Sequence, residues 1–391
     1  MEAALYAKIL SEKSILNLKK LKYKYPNMDI AELITVLKNS AYKTLPIWDF
    51  GGNELVLLEY IAQVEMASAK ILLTPQSSLK KYGIKAMEEE ISSTLTIENI
   101  DFSRESVRKI LAGYAPSDVS ENRIYGIKKG LEFISNAENL ITEENIHNLY
   151  QLAIGDFLEN EDDKLLPGNL YRHNRVYVVG GQDIEHIGLP HQKLNEYMNK
   201  FIMFIHDKVK INDFYKATII HFYLAYLHPY FDGNGRMARL LHLWYLVQKG
   251  YSSTLFIPFS SYIKKSKNSY YNAFTLVEQN AKISGIMDVT PFLVYFAENV
   301  YNKFDDFGPN QITIAKFDKT LAEGKITQKE KDLWNFVLSA YGNNEFSTKQ
   351  LERDFGHAAY ATIRSFVLKF EKMGLMNSQK YGNRVKYRIE T

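Results

Sequence analysis

The chain has 391 residues, more than one hydrophobic core ordinarily needs, so we expect two or three domains. Its formal net charge of +3 is close to balance, which excludes a strong electrostatic preference of the whole protein for nucleic acid or for a membrane surface. It has no cysteine, which excludes disulfides and thiol chemistry and suits a cytoplasmic location.

We expect neither a signal peptide nor a membrane span. The first residues carry acids and lysines in place of a long apolar run. Elsewhere no segment approaches the roughly 20 apolar residues that a membrane-spanning helix needs.

Apolar residues recur at helical spacing in the first part of the chain, so we expect helices there. These stretches are 5–21, 30–42 and 54–73. A further helix is expected from Lys80 to Leu95, ending near Thr96. On this pattern we assign 1–79 to an N-terminal helical region.

The pattern stays helical from Ser103 to about Phe304, with one exception. Residues 176–179 are strand formers and are followed by two glycines, so we expect a β-hairpin within 169–182. A hairpin inside a helical region favours a functional loop, and the alternative is a surface hairpin with no function.

After Phe304 the pattern changes. We expect a linker or connecting helix over 305–324 and a winged-helix domain over 325–391, because the order helix, short strand, helix, helix, hairpin is typical of that fold. Ser347 is a good N-cap for the second of these helices. The other predicted elements are helices over 327–341 and 357–373 and two strands within 375–390.

The densest set of chemical groups lies between two apolar helices. A buried helix is expected from Asp213 to Leu227, Pro229 cannot continue it, and a helix resumes over 236–248. The connecting residues combine a histidine, an acid, two glycines and two arginines. They are His228, Pro229, Tyr230, Phe231, Asp232, Gly233, Asn234, Gly235, Arg236, Met237, Ala238 and Arg239.

This segment predicts a phosphate site. A glycine-rich turn before a helix presents unpaired N–H groups and the positive end of the helix dipole. Arg236 and Arg239 lie three residues apart, on one helix face, and guanidinium groups match phosphate oxygens. Asp232 beside phosphates suggests Mg²⁺, and His228 could take a proton from a hydroxyl.

Other interpretations of this segment fit less well. The acids of an EF-hand calcium loop and the Gly-Lys-Ser/Thr of a P-loop are absent. The remaining alternative is a corner between two helices with a capping histidine, which does not account for the acid, the asparagine and both arginines.

These residues match the motif H-P-[FY]-x-[DE]-G-N-G-R-x-x-R at every defining position, so the chain resembles the Fic domain family. The resemblance covers about 80–304, including an inhibitory helix. It implies a mainly α fold: a Fic-type helical bundle with a short β-hairpin flap, preceded by the helical region and followed by the winged helix. It also implies a nucleotidyltransferase, a protein adenylyltransferase that moves AMP from ATP to a Ser, Thr or Tyr hydroxyl of a target protein and of itself.

The resemblance implies a role for each matching residue. His228 would be the general base and Asp232 the ligand of Mg²⁺. A target segment would dock on the hairpin at 170–181 by adding a strand. For Tyr270 and Tyr271, which resemble a pair that borders the adenosine, packing is the alternative. The residues expected to bind the nucleotide are Asp232, Gly233, Asn234, Gly235, Arg236, Arg239, Val179, Gly180, Tyr270 and Tyr271.

A second match lies upstream. Residues 94–99 fit the family's inhibitory motif [ST]-x-x-x-E-[GN], with Thr94, Glu98 and Asn99 at the defining positions. The resemblance implies that Glu98 pairs with Arg239 and occupies the charge meant for the γ-phosphate of ATP. The alternative is an ordinary glutamate near a helix end.

The C-terminal segment and the reaction leave further alternatives. Residues 325–391 contain twelve Lys or Arg against seven Asp or Glu, so this segment is expected to bind DNA or, slightly favoured, a protein. A second copy of the chain, in a homodimer, is another candidate partner. Alternative functions are removal of AMP by the same site and a DNA-binding regulator whose Fic domain senses nucleotide.

Overall fold

The computed structural model describes residues 3–65, 84–180, 183–251, 254, 257–307, 311–341, 345–356 and 358–390. These residues are mostly helical, as predicted. Their buried apolar side chains form two separate clusters, one within the first 304 residues and one within 317–389. Within the described residues, no helix combines the length and apolar character that crossing a membrane requires.

In the N-terminal region the helix predicted over 5–21 is divided into two, the helix predicted over 30–42 is present, and a hairpin that was not predicted follows. The helices are α1 (Ala3–Ser11), α2 (Leu18–Lys24) and α3 (Ile30–Ser40). Strands β1 (Lys43–Trp48) and β2 (Glu54–Leu57) then pair antiparallel, around a turn in which Asp49 Oδ1 accepts hydrogen bonds from the N–H groups of Gly51 and Asn53.

The helix predicted over 54–73 is therefore wrong where the structure describes it, up to residue 65. Leu55, Val56 and Leu57 are all buried, and Val56 N–H also donates to the carbonyl of Met287. A short, wholly apolar run fits a buried strand as well as a helix, and contact with a distant segment decided between them. Residues 66–73 of that prediction, and 80–83 of the next, lie outside the described residues.

A helical bundle follows. Its helices are α4 (Ile84–Ile97), α5 (Arg104–Leu111), α6 (Val119–Ser135), α7 (Glu143–Ala153), α8 (Leu194–His206), α9 (Asp213–Leu227), α10 (Asn234–Gln248), α11 (Phe259–Lys265), α12 (Lys267–Ser284) and α13 (Thr290–Asn299). Helices α9 and α10 pack against each other at its centre. Almost all of their residues are buried, as expected of central helices, and they join at the twelve-residue segment.

A β-hairpin is present, as predicted, but it lies later in the chain than the predicted range 169–182, and its second strand falls beyond that range. Strands β3 (Tyr177–Gly180) and β4 (Asp183–Ile187) pair antiparallel, with Val178 opposite His186 and a bulge after Val178. Residues 181 and 182, the last of the predicted range, lie outside the described residues. We call residues 177–187 the flap hairpin.

The C-terminal elements follow the predicted order. They are α14 (Gln311–Ala322), α15 (Gln328–Ala340), α16 (Thr348–Phe355), α17 (Tyr360–Lys372), β5 (Met376–Tyr381) and β6 (Arg384–Ile389). Ser347 caps α16 in a capping box with Gln350, and Phe346 forms a β-bridge with Tyr387. Helix α17 begins at Tyr360, later than predicted, and His357 lies outside the described residues.

The C-terminal elements also touch the bundle. Phe317 of α14 stacks on Trp334 of α15 at 5.1 Å between ring centroids, so the predicted connecting helix packs on the C-terminal core. Helix α15 in turn packs against α4. Helix α4 thus lies between α11 on one side and α15 on another.

Candidate active site

His228 sits at the C-terminal end of α9 in a left-handed backbone conformation, with φ of 55°. That conformation is uncommon for a residue other than glycine, so its surroundings must hold it. Arg172 does so: its Nε donates to the His228 carbonyl at 2.7 Å, and its N–H donates to the Pro229 carbonyl at 2.9 Å. The turn at His228 is therefore fixed by an arginine from another segment.

The ring of His228 is arranged as a proton acceptor. Nδ1 lies 3.1 Å from the carbonyl oxygen of Ala225. Because a carbonyl only accepts hydrogen bonds, we assign the proton of the neutral ring to Nδ1, which leaves Nε2 basic. Burial lowers the pKa of His228 to about 4, so the ring is neutral at physiological pH.

The turn after His228 is held by its own side chains. Asn234 accepts from the Tyr230 N–H at 3.0 Å and donates to the Tyr230 carbonyl at 2.8 Å. Gly233 has a φ of +82°, and a Cβ there would overlap Ile154, so the position demands glycine. The first N–H groups of α10, which have no intrahelical partner, face the end of this turn.

Both predicted arginines are buried, with relative exposures of 4% for Arg236 and 1% for Arg239. Arg236 Nη2 donates to Asp232 Oδ2 at 2.7 Å. Among the described residues, Arg236 Nε and Arg239 Nη1 have no hydrogen-bond partner. Buried guanidinium nitrogens without acceptors are costly, and phosphate oxygens would supply the missing acceptors.

Asp232 is compatible with a magnesium ion held together with phosphates. Its side chain is 53% exposed, and its oxygens accept from the Gly233 N–H and from Arg236. The described residues contain no cluster of three His, Asp or Glu side chains suited to a metal. One carboxylate plus phosphate oxygens is nonetheless the usual way in which proteins hold Mg²⁺.

The end of α4 reaches this site. Arg239 Nη2 donates to Glu98 Oε1 at 2.5 Å, and Arg239 Nε donates to Thr94 Oγ1 at 2.7 Å. Glu98 also lies against Gly235, where a Cβ would overlap its carboxylate. The structure thus brings Thr94 and Glu98 to Arg239, which lies 145 and 141 residues further along the chain.

A helix C-cap sets the position of Glu98. Asn99 has a φ of 55°, its N–H donates to the Thr96 carbonyl, and the Ile100 N–H donates to the Leu95 carbonyl. This is the Schellman pattern, in which the residue after the cap is left-handed and is usually Gly or Asn. The preference of the inhibitory motif for those two residue types therefore has a conformational reason.

Helix α12 also holds the end of α4. Lys267 Nζ donates to Asn99 Oδ1 at 2.7 Å, and the Tyr271 hydroxyl donates to the Ile97 carbonyl at 3.2 Å. Tyr270 is buried, and its hydroxyl lies 2.8 Å from Nε2 of His221. Of the predicted tyrosine pair, Tyr271 thus touches α4, while Tyr270 packs in the core behind Arg239.

Several residues at the site carried no sequence signal. Glu90 of α4 accepts from Ser260 N–H at 2.7 Å and from its hydroxyl, and burial raises the pKa of Glu90 to about 6. Arg172 donates to the Asn174 carbonyl at 2.5 Å and to the Leu189 carbonyl, so it also ties the base of the flap hairpin to His228. Local spacing predicts neither the contact of Glu90 with Ser260 nor that of Arg172 with His228, because these residues are 170 and 56 positions apart in the chain.

The flap hairpin differs from the rest of the site in its exposure. Tyr177 and Val179 on β3 are 47% and 61% exposed, and Ile187 on β4 is 51% exposed. Gly180 pairs with Asp183 next to the turn. The hairpin on which docking is predicted therefore has exposed apolar side chains.

Paired central helices, a partly buried histidine, a glycine-rich turn and two buried arginines characterise a helical protein in which the N-terminus of α10 could hold an anion. Residues 140–246 match the profile of the family described as the Fic/DOC family. This range includes the flap hairpin, α9 and the whole twelve-residue segment. Over this range the chain is similar to the Fic/DOC family.

Curated relatives carry a matching name. The chain is 25% identical over 231 residues to the protein adenylyltransferase Fic of Aedes aegypti, covering 56% of this chain and 42% of that protein. It is 26% identical over 231 residues to the protein of the same name from Drosophila willistoni, covering 57% and 42%. The chain thus spans about two fifths of the length of these relatives.

Solved structures show weaker similarity. A Fic family protein from Desulfovibrio desulfuricans G20 aligns with a TM-score of 0.49 and 17% identity, covering 82% of this chain and 90% of that one. Fic-1 from C. elegans, residues 134–508, aligns with a TM-score of 0.42 and 20% identity, covering 62% and 65%.

Proposed function

We propose that the protein transfers AMP from ATP to a Ser, Thr or Tyr hydroxyl of a target protein and of itself. The observation that carries this proposal is the pair of buried arginine nitrogens, on Arg236 and Arg239, without acceptors among the described residues. They lie on the first turn of a helix whose N-terminus follows a glycine-rich turn, next to a neutral histidine. That set suits a polyphosphate beside a hydroxyl that must lose a proton.

The chemistry follows from this geometry. The target's hydroxyl oxygen bonds to the α-phosphorus of ATP, the bond from that phosphorus to the bridging oxygen breaks, and pyrophosphate leaves. His228 Nε2 takes the hydroxyl proton, while the Nδ1 proton stays on the Ala225 carbonyl. The two arginines and the N–H groups of α10 neutralise phosphate charge. Asp232 would hold Mg²⁺ against the phosphates, and the ion would supply further charge neutralisation.

We further propose that Glu98 inhibits the enzyme. Its carboxylate accepts a hydrogen bond from Arg239 Nη2 that a phosphate oxygen would otherwise accept. In this arrangement Arg239 Nη2 cannot bind the carboxylate and the phosphate at the same time. The contact is part of a fixed helix end, held by the Asn99 cap and by Lys267. The resting protein would therefore bind ATP in an unproductive way until α4 shifts.

Label from [α-³²P]ATP incorporated into the protein itself tests both proposals. We expect Glu98→Gly to raise incorporation at least tenfold over the wild type and the double variant Glu98→Gly/His228→Ala to return it to background. Equal incorporation by the wild type and Glu98→Gly would overturn the inhibition. Incorporation that survives the loss of His228 would overturn its role as the base.

AMP removal by the same site is a second candidate, and the 28% exposure of the Glu98 side chain is the observation that favours it. A carboxylate partly open to solvent at the phosphate site can position a water molecule. Self-modified Glu98→Gly protein, labelled and freed of ATP, serves as substrate for the wild type. Release of labelled AMP by the wild type and not by Glu98→Ala would support removal.

The flap hairpin and the C-terminal segment are the proposed partner surfaces. We propose that 325–391 forms a winged helix after a linker at 305–324, that 80–304 is the Fic domain and that 1–79 is a helical region. Within the C-terminal segment, Lys369 pairs with Glu330 at 2.8 Å and Lys386 with Glu345 at 3.6 Å. Because these lysines already have partners, we favour protein docking, including a second copy of the chain, over DNA.

A gel-shift titration at two salt concentrations separates these partners. DNA binding through phosphate contacts weakens steeply with salt. We expect no retarded complex with duplex DNA at 150 mM salt. A complex that forms at low salt and at 150 mM would support the DNA-binding regulator instead.

A further inference from the structure

We propose that His186 is a positioning residue for the AMP transfer proposed above, and that it fixes the flap hairpin over His228 as an imidazolium paired with Glu278. Neither His186 nor Glu278 is among the site residues that the sequence predicted. His186 lies on β4, opposite Val178 in the strand pairing.

Both ring nitrogens of His186 face oxygen acceptors. Nε2 lies 2.8 Å from the Tyr226 carbonyl, and Nδ1 lies 2.6 Å from Glu278 Oε1. A carbonyl and an ionised carboxylate can only accept, so each nitrogen must carry a proton.

These contacts join three elements around the catalytic histidine. Tyr226 belongs to the last turn of α9, immediately before His228, and Glu278 lies in α12, the helix that carries Tyr271. The His186 ring centroid is 6.2 Å from that of His228. The His186 side chain of the flap hairpin thus contacts both α9, which ends at His228, and α12, which holds the end of α4.

The flap hairpin needs such an anchor. It has two strands, and its apolar side chains Tyr177, Val179 and Ile187 are exposed, so it gains little from packing. The side chains of His186 and Glu278 are only 14% and 22% exposed, and an ion pair shielded to that extent is worth more than one on the surface. The position of β3 relative to His228 therefore depends on the pair of His186 and Glu278.

The variants are made in the Glu98→Gly background, where α4 no longer masks the site. For His186→Ala and Glu278→Ala we expect self-modification to fall at least tenfold in kcat, with the KM for ATP changed less than threefold. Glu278→Gln keeps both hydrogen bonds, since a neutral His186 can donate to Tyr226 and accept from the new amide. We expect it to retain self-modification within about threefold.

The outcomes separate the two levels of inference. An inactive Glu98→Gly parent would contradict the AMP transfer itself. An active parent with His186→Ala equally active, or with ATP KM and kcat altered alike, would contradict the positioning role. Circular dichroism of each variant identifies one that fails to fold, and Glu278→Ala then tests the same pair from the other helix.

Two measurements test the pair of His186 and Glu278 independently of enzyme activity. The chain has nine histidines, so ¹⁵N-edited imidazole spectra of the full chain are tractable, with His186 assigned from His186→Ala. We expect both His186 nitrogens to be protonated at pH 7.5 in the wild type and one in Glu278→Gln; a neutral ring in the wild type would overturn the imidazolium. Faster hydrogen exchange at 177–187 is expected in His186→Ala and Glu278→Ala but not in Glu278→Gln, and unchanged exchange in His186→Ala would overturn the anchor.

Discussion

The two sides of His228 are built in opposite ways. On one side, α4 buries polar groups: Glu90 and Thr94 are at most 4% exposed, and each has a specific partner. On the other side, the flap hairpin exposes apolar groups, with Val179 at 61%. Buried, satisfied polar groups mark a contact completed within the chain, whereas exposed apolar groups mark one still open to a partner.

This difference assigns the two sides to different tasks. The α4 side meets Arg239 and so controls the phosphate end of the site. The flap side meets Tyr226 and His228 and so controls where a target hydroxyl arrives. Changes on the first side should therefore raise transfer, and changes on the second should lower it.

The largest expected effect is on the flap side. In the Glu98→Gly background, Arg172→Ala should lower kcat for self-modification by roughly 100-fold, because it frees the left-handed turn at His228 and misplaces the base. Arg172→Lys keeps the charge and one donor and should lose less. Thermal melting of each variant is the control, and kcat within threefold of the parent in a folded Arg172→Ala would contradict this assignment.

The next effect is on the α4 side and has a matched pair of variants. Asn99→Ala must place an ordinary residue in a left-handed conformation that costs roughly 1–2 kcal/mol, so the helix end that carries Glu98 should loosen. We expect self-modification to rise about five- to tenfold in an otherwise wild-type chain. Asn99→Gly loses the same side-chain contact to Lys267 but tolerates the conformation, so it should rise far less. Equal activation by both variants would show that the side chain, not the backbone, matters.

A smaller effect tests the contact from α12. Lys267→Ala removes the hydrogen bond to Asn99 Oδ1, and one such bond contributes roughly 0.5–1.5 kcal/mol. Self-modification in the wild-type background should rise about two- to fourfold. The same change in Glu98→Gly should have no effect on self-modification, because no carboxylate remains to be held. An equal rise in self-modification in both backgrounds would show that Lys267 does not act through the end of α4.

The sequence predicted the groups that act through local spacing. The twelve-residue segment is contiguous, the strands of the flap hairpin are bounded by glycines, and the inhibitory motif is read within one helix end. It did not predict β2, because Leu55 to Leu57 is apolar throughout and only the contact with Met287 favours a strand. It also missed Arg172 and the pair of His186 with Glu278, since each joins segments that have no common periodicity.

The smallest expected effect concerns pH, where the two sides act on His228 in opposite directions. Burial lowers the pKa of His228 to about 4, and the charges of His186 and Arg172 act the same way, whereas Glu98 raises that pKa. The neutral ring is the base, so transfer is lost only as pH falls through the lowered pKa. A histidine at its ordinary 6.5 would lose about tenfold between pH 7 and 5.5.

For Glu98→Gly we therefore expect kcat/KM for self-modification to change less than twofold over that pH interval. The ATP KM and the circular dichroism spectrum at each pH are the controls. Removing Glu98 also removes the one charge that raises the pKa of His228, so its acid limb should lie below that of the wild type. An acid limb centred between pH 6 and 7 in Glu98→Gly would mean that His228 is exposed to solvent when it acts, and that the flap side opens during transfer.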